Sequence, residues 1–262
     1  MTMNLAQRVR RPAFWIALLG LTAAWSCADN RPGGTGTTPP PGPPAVAPAR
    51  FVVAVDLSTS LTAAERASHE ALLHALANEL DFGDRLVLLQ ATASGVRNSA
   101  PPRPVSVPMP RGQKPLQRDH TARDLARQTA DRYVTTLFRS PPSTGTDLFA
   151  TLHTAGEQVR EGGGARTMLV ILSDMLQCAD GVCMERRDGV PDSAWIAARK
   201  AQSLVPSLEG ACVTVVGADA STAHGVRVRE FWRRYFRAAG ASFSPARYMH
   251  GATSPATLRC DR

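Results

Sequence analysis

Three oxygen-bearing side chains stand at alternate positions in Asp56-Leu57-Ser58-Thr59-Ser60. Alternate side chains of an extended segment point the same way, so one carboxylate and two hydroxyls converge on one point. Hard oxygen donors of this kind suit Mg2+ or Mn2+, which favour octahedral oxygen coordination. Soft or zinc-type ligands are absent from the segment. The bland alternative is that Ser58 and Ser60 only cap the helix that follows, with Asp56 accepting from their backbone amides.

Other chemistries lack their residues. His69 and His74 flank Glu70 but are five apart, which separates them by about 140° around a helix of 3.6 residues per turn. They cannot share a metal as a zinc protease's histidines do. No Gly-x-Ser-x-Gly turn and no Gly-x-x-x-x-Gly-Lys loop occurs, which removes the nucleophilic hydrolase and nucleotide-binding readings. A haloacid-dehalogenase phosphotransferase also places an aspartate after its first strand, but it needs a second acid two residues on. Ser58 occupies that place. We expect a binding protein and not an enzyme.

The elements around the segment imply a sheet with helices on both faces. Phe51 to Val55 is a continuous apolar run ending at Asp56, as expected for a strand buried on both sides of a parallel sheet. Thr62 can cap a helix carrying Leu72, Leu73, Leu76 and Leu80 at helical spacing. Leu86 to Ala91 is the next strand, and the proline-rich stretch from Ser94 to Lys114 is a loop with at best an edge strand at Val105 to Val107. Helices follow at Leu116 to Phe138 and from Asp147, the second burying Leu148, Leu152, Ala155 and Val159.

Two further apolar runs, Thr167 to Leu172 and Cys212 to Val216, close on Ser173-Asp174 and Gly217-Ala218-Asp219. Helices are expected around Ser193 to Leu204 and Val226 to Ala239, where Val228, Phe231, Trp232, Tyr235 and Phe236 form a core-facing stripe. The arginines of that last helix read as a solvated face. Alternating strands and helices imply a doubly wound, mostly parallel α/β sheet. Ligands bind outside the carboxyl ends of such strands, where Asp56, Asp174 and Asp219 stand.

Asp-x-Ser-x-Ser after a buried strand resembles the first part of the metal-ion-dependent adhesion site of von Willebrand factor type A domains. The family's second part is a threonine in a Gly-Thr turn before a helix, and Gly145-Thr146-Asp147 is similar. Its third is an aspartate after a later strand, commonly followed by glycine; Leu172-Ser173-Asp174 is similar, with Met175 in the glycine's place. The resemblance covers roughly Arg50 to Met249. It implies that Ser58, Ser60 and Thr146 ligate Mg2+ or Mn2+ directly, that Asp56 and Asp174 do so directly or through water, and that a partner protein's carboxylate completes the sphere.

The N-terminal segment leads to the expectation that this domain lies outside the cytoplasm. Arg8, Arg10 and Arg11 precede an apolar run, Ala13 to Ser26, which is shorter than the about 20 residues a membrane span needs. Residues 1–26 read as a signal peptide. Ala24-Trp25-Ser26-Cys27 resembles a bacterial lipobox, which implies lipidation at Cys27; an ordinary signal or an uncleaved anchor would export the domain equally. Residues 27–49, centred on Pro39-Pro40-Pro41-Gly42-Pro43-Pro44, read as an extended tether, leaving 50–262 for the domain.

Residues 1–26 carry three arginines and no acid, so their removal lowers the formal charge of +8 by three. The remainder is too small to argue for nucleic acid. Four cysteines remain, an even number that suits an oxidising compartment. Cys178 and Cys183 could close a small loop across Asp180-Gly181, leaving Cys212 with Cys260. Their spacing is not the Cys-x-x-Cys of a redox motif. The expectation is a monomer on the cell envelope, anchored to a membrane by lipid and facing the periplasm or exterior.

Overall fold

The computed structural model describes residues 47–92, 101–112, 114–163 and 166–260. The signal segment, Cys27 and the proline-rich core of the tether lie outside the described residues.

Six strands form one sheet: β1 (Arg50–Asp56), β2 (Arg85–Ala91), β3 (Arg103–Ser106), β4 (Thr167–Leu172), β7 (Ala211–Val216) and β8 (Ser242–Met249). Their order is β3-β2-β1-β4-β7-β8, and every neighbouring pair is parallel except β2 with β3. A two-stranded hairpin, β5 (Cys178–Ala179) and β6 (Val182–Cys183), stands apart. The fold is thus the doubly wound, mostly parallel α/β class that the alternating pattern implied.

Burial explains why β1, β4 and β7 were legible as largely apolar runs. All six residues of β4 and of β7 are buried, and so are six of the seven in β1. Side chains of β1 alternate between two cores: Phe51, Val53 and Val55 face α1 (Ala63–Glu79) and α2 (Gln117–Phe138), whereas Val52 and Ala54 face α3 (Leu148–Arg160) and its neighbours α4 (Ser193–Ala201) and α5 (Ala223–Ala238). The aromatic stripe of α5 is core, with Trp232, Tyr235 and Phe236 almost fully buried.

Local signals set the helix starts. Thr62 accepts from Glu65 N at 3.2 Å while the Glu65 carboxylate accepts from Thr62 N at 2.8 Å, a reciprocal cap on α1. Asp147 caps α3 by accepting from Ala150 N at 3.0 Å. Thr222 caps α5 one turn earlier than the apolar stripe indicated, and Ser203, with a positive φ, stops α4 before Leu204.

Both disulfides expected from the even cysteine set are present. Cys178–Cys183 clips the β5–β6 hairpin, whose turn residues Asp180 and Gly181 both have positive φ, the geometry an Asp-Gly pair favours. Cys212–Cys260 ties β7 to the end of the described chain, beside a single 3-10 turn at Pro255–Leu258. The two outermost strands each contain a proline, Pro104 in β3 and Pro245 in β8, and β8 leaves register with β7 around Pro245. Strand β8 had no counterpart in the sequence reading. Among the described residues no helix is long and apolar enough to cross a membrane.

Candidate metal centre

Strand β1 is followed in sequence by β2 on one side of it, and β4, on its other side, begins the second half of the sheet. The carboxyl ends of β1 and β4 therefore flank the point where strand order reverses, the place where open α/β sheets bind ligands. Asp56 ends β1, and Ser173-Asp174 follows β4.

Asp56 is 1% exposed and its charge is met by three donors. Its Oδ1 accepts from Ser58 N at 2.8 Å and from Thr146 Oγ1 at 2.9 Å. Its Oδ2 accepts from Ser173 Oγ at 2.7 Å. A buried carboxylate without such partners would be strongly disfavoured, so the surrounding hydroxyls are what allow it here.

The Thr146 loop reaches Asp56 because it is zipped to the β1–α1 turn. Thr59 N donates to Ser143 O at 2.9 Å and Ser143 N to Leu57 O at 3.0 Å. Ser58 and Ser60 face each other with their Oγ atoms 2.7 Å apart. The helix-capping alternative for these serines is not realised, since Thr62 caps α1. The other half of that alternative, Asp56 accepting from Ser58 N, is present.

Asp174 lies beside the Ser60 side chain, which acts to lower its carboxyl's pKa, while Leu176 N donates to Asp174 Oδ1 at 2.9 Å. Burial pushes its carboxyl up to about 6 against those two groups, and the negative charges of Asp56 and Glu185 push the same way as burial. Asp174 is half-buried and Ser60 exposed, so the cluster runs from a closed floor at Asp56 to an open rim.

The residue after Asp174 explains how a methionine stands where glycine would be easier. Met175 has φ 66°, in the left-handed region, and is fully buried. Its carbonyl accepts from Trp232 Nε1 of α5 at 2.9 Å, and its amide donates to Ser173 Oγ at 2.9 Å. Packing and two hydrogen bonds hold a conformation that costs a non-glycine residue on the order of 1–2 kcal/mol.

The five predicted residues therefore form one cluster of oxygen donors. Adjacent ligands of an octahedral Mg2+ with bonds of about 2.0–2.1 Å lie about 2.9 Å apart. The Ser58–Ser60 and Thr146–Asp56 oxygens, 2.7 and 2.9 Å apart, are hydrogen-bonded to each other at separations close to that spacing. The donor types, carboxylates and hydroxyls, are those that suit Mg2+ or Mn2+. Cys178, Cys183 and Glu185 also lie close together, but the two sulfurs are bonded to each other and offer no thiolate.

Four participants were not assigned from the sequence. Ser173 orients Asp56, and only its place before Asp174 hinted at it. Gln177, fully buried, accepts from Leu148 N at 2.6 Å and donates to Asp147 Oδ1 and Ala179 O, joining the Thr146 and Asp174 loops. His69 is buried behind the site, where burial lowers its pKa, and its Nδ1 has no hydrogen-bond partner. The buried Tyr248 hydroxyl also lacks one; burial, and then the charge of Asp174, keep it protonated. Asp219 stays out of the cluster, accepting from Ser221 N and Oγ in a local turn.

No protein-family model matches the chain, and no curated protein does. Among solved structures it is similar to a von Willebrand factor type A protein from Catenulispora acidiphila, at 18% identity and a TM-score of 0.43, over 80% of this chain and 40% of that one. It is also similar to the human COPII-coat protein Sec24c, at 12% identity and a TM-score of 0.43, over 79% of this chain and 30% of that one. The chain spans less than half the length of either. Its fold class rests on strand order and direction, and the site on its own geometry.

Proposed function

We propose that this chain is an exported binding protein of von Willebrand factor A type, in which a divalent cation grips an acidic group on a partner protein. The observation that carries the reading is the meeting of Asp56, Ser58, Ser60, Thr146 and Asp174 at the switch point of the sheet. Ser58, Ser60 and Thr146 would ligate Mg2+ or Mn2+ directly, with Asp56 and Asp174 direct or through water. The cation would supply a positive charge for an external carboxylate, and it stays substantially positive where Asp56 and Asp174 act through water and the direct ligands are neutral hydroxyls. Placement on the envelope by a lipid on Cys27 belongs to the same proposal, and two disulfides suit an oxidising compartment.

A second reading, a structural envelope protein with a vestigial site, is favoured by one fact: three protein donors already meet Asp56. Titration with Mn2+ and Mg2+ separates the two. The binding reading expects wild type to bind at millimolar concentration or tighter and Asp174→Ala to lose that binding while its circular dichroism is unchanged. Absence of binding to wild type sinks it. A pull-down with and without EDTA then tests for a metal-dependent partner.

A further inference from the structure

Across the sheet from the α3–α4–α5 layer, the outer strands β7 and β8 are covered by the last described residues. A groove of about 530 Å³ remains there. Arg166, Arg247, Arg259, Ser242, Ser244 and Thr257 line it, and among the described residues no aspartate or glutamate does. The Cys212–Cys260 disulfide forms part of its wall.

Two of the arginines are held in place by the fold. Arg247 donates through one terminal nitrogen to Thr214 Oγ1 at 3.1 Å and through the other to the main-chain carbonyl of Arg259 at 3.0 Å. Thr214 is a polar residue at the centre of a strand otherwise made of apolar side chains, and it is fully buried. Its hydroxyl gives Arg247 a neutral acceptor on the sheet. The Arg259 guanidinium lies over the Phe51 ring, 5.4 Å from its centroid, and the disulfide fixes the residue next to it.

Arg247 is thus positioned by acceptors that carry no charge. Its position is set, among the described residues no carboxylate is bonded to it, and a guanidinium presents five N–H donors, more than these two bonds consume. Hydroxyls of Ser242 and Ser244 line the same groove as further neutral donors. Guanidinium and hydroxyl donors lining one groove are the chemistry that recognises phosphate oxygens. We propose that this groove binds a phosphate-bearing anion, independently of the metal centre at the carboxyl ends of β1 and β4.

The phosphate could belong to a small soluble molecule or to a lipid headgroup. The test uses the full chain in EDTA, so that the metal centre contributes nothing, in salt of about 150 mM. Inorganic pyrophosphate is titrated calorimetrically, and vesicles of phosphatidylcholine with or without phosphatidylglycerol are co-sedimented. Wild type is compared with Arg247→Gln and with Arg259→Gln, which keeps the main-chain carbonyl that Arg247 uses. A charge-assisted hydrogen bond lost from such a site weakens binding by about tenfold or more.

Pyrophosphate binding weakened about tenfold in both variants supports the proposal with a soluble ligand. A preference for phosphatidylglycerol vesicles that both variants lose supports it with a lipid. If neither probe binds wild type, or if both variants bind as wild type does, the proposal is overturned.

Discussion

Ser173 and Asp56 are 117 positions apart in the chain, yet the Ser173 hydroxyl donates to Asp56 Oδ2 at 2.7 Å on the floor of the site. One strand supplies the carboxylate and its neighbour supplies the group that aims it. Ser173→Ala removes a buried hydrogen bond to a charged acceptor and leaves the Met175 amide without its partner. We expect a loss of about 1.5–3 kcal/mol of stability, read from urea unfolding, together with weaker Mn2+ binding.

Ser60 lies at the opposite, exposed end of the cluster, so its removal should separate binding from folding. Ser60→Ala is expected to cost about 0.5–1.5 kcal/mol of stability, the net worth of one hydrogen bond, its bond to Ser58 being the one lost. Mn2+ affinity should nonetheless fall at least about tenfold, by calorimetric titration. Unaltered affinity would remove Ser60 from the ligand set.

Asp174 gives a prediction whose sign reverses with metal. Burial raises its carboxyl from 3.8 to about 6. The folded chain therefore holds a proton that the unfolded chain releases between about pH 4 and 6. Stability falls as pH rises through that window, and the deficit is complete above it. In EDTA at pH 7, Asp174→Asn should be more stable than wild type by on the order of 1–3 kcal/mol. In excess Mg2+ wild type should overtake it, because only the carboxylate binds the ion well. Equal melting temperatures under both conditions would contradict this.

His69 opposes Asp174 in acid. Burial lowers its pKa from the ordinary value of 6.5, so below that pH the unfolded chain takes up a proton that the folded one resists. Stability is therefore full above pH 6.5 and lost as pH falls from there toward the lowered folded value. In an Asp174→Asn background, which removes the opposite slope, urea unfolding between pH 7.5 and 5 should show this loss, and adding His69→Gln should flatten it. Gly217, beside His69, has φ 106° and no space for a Cβ, which would lie 2.8 Å from His69 Nε2. Gly217→Ala should therefore be destabilising.

The two disulfides should differ in what they protect. Loop-closure entropy assigns about 4 kcal/mol to Cys212–Cys260, with a separation of 48, and about 2 kcal/mol to Cys178–Cys183, with a separation of 5. Only the shorter one lies next to the site: Cys178 N donates to Thr146 O at 3.0 Å. Replacing Cys178 and Cys183 by alanine should weaken Mn2+ binding at the smaller cost in stability, and replacing Cys212 and Cys260 should do the converse. Paired melts and titrations of the two double variants check this.

What could be read from the chain was what neighbours in sequence determine. Strands β1, β4 and β7 are buried on both faces and so appear as largely apolar runs, and Asp56, Ser58 and Ser60 lie within five residues. Strand β8 was invisible because its Ser242, Ser244, Pro245 and Ala246 are exposed and proline argues against a strand. The parts played by Ser173, Gln177 and His69 depend on loops brought together only by the finished sheet. Met175 broke a local rule whose compensation, Trp232, lies 57 positions away.

The prolines on the two outer strands bear on how such molecules coexist. A free sheet margin is a template on which a second copy can add strands, and a proline withholds the donor such pairing needs. Pro104 and Pro245 place that obstacle at both margins of this sheet. Two copies meeting margin to margin would therefore each lack a donor that a continuous added strand needs.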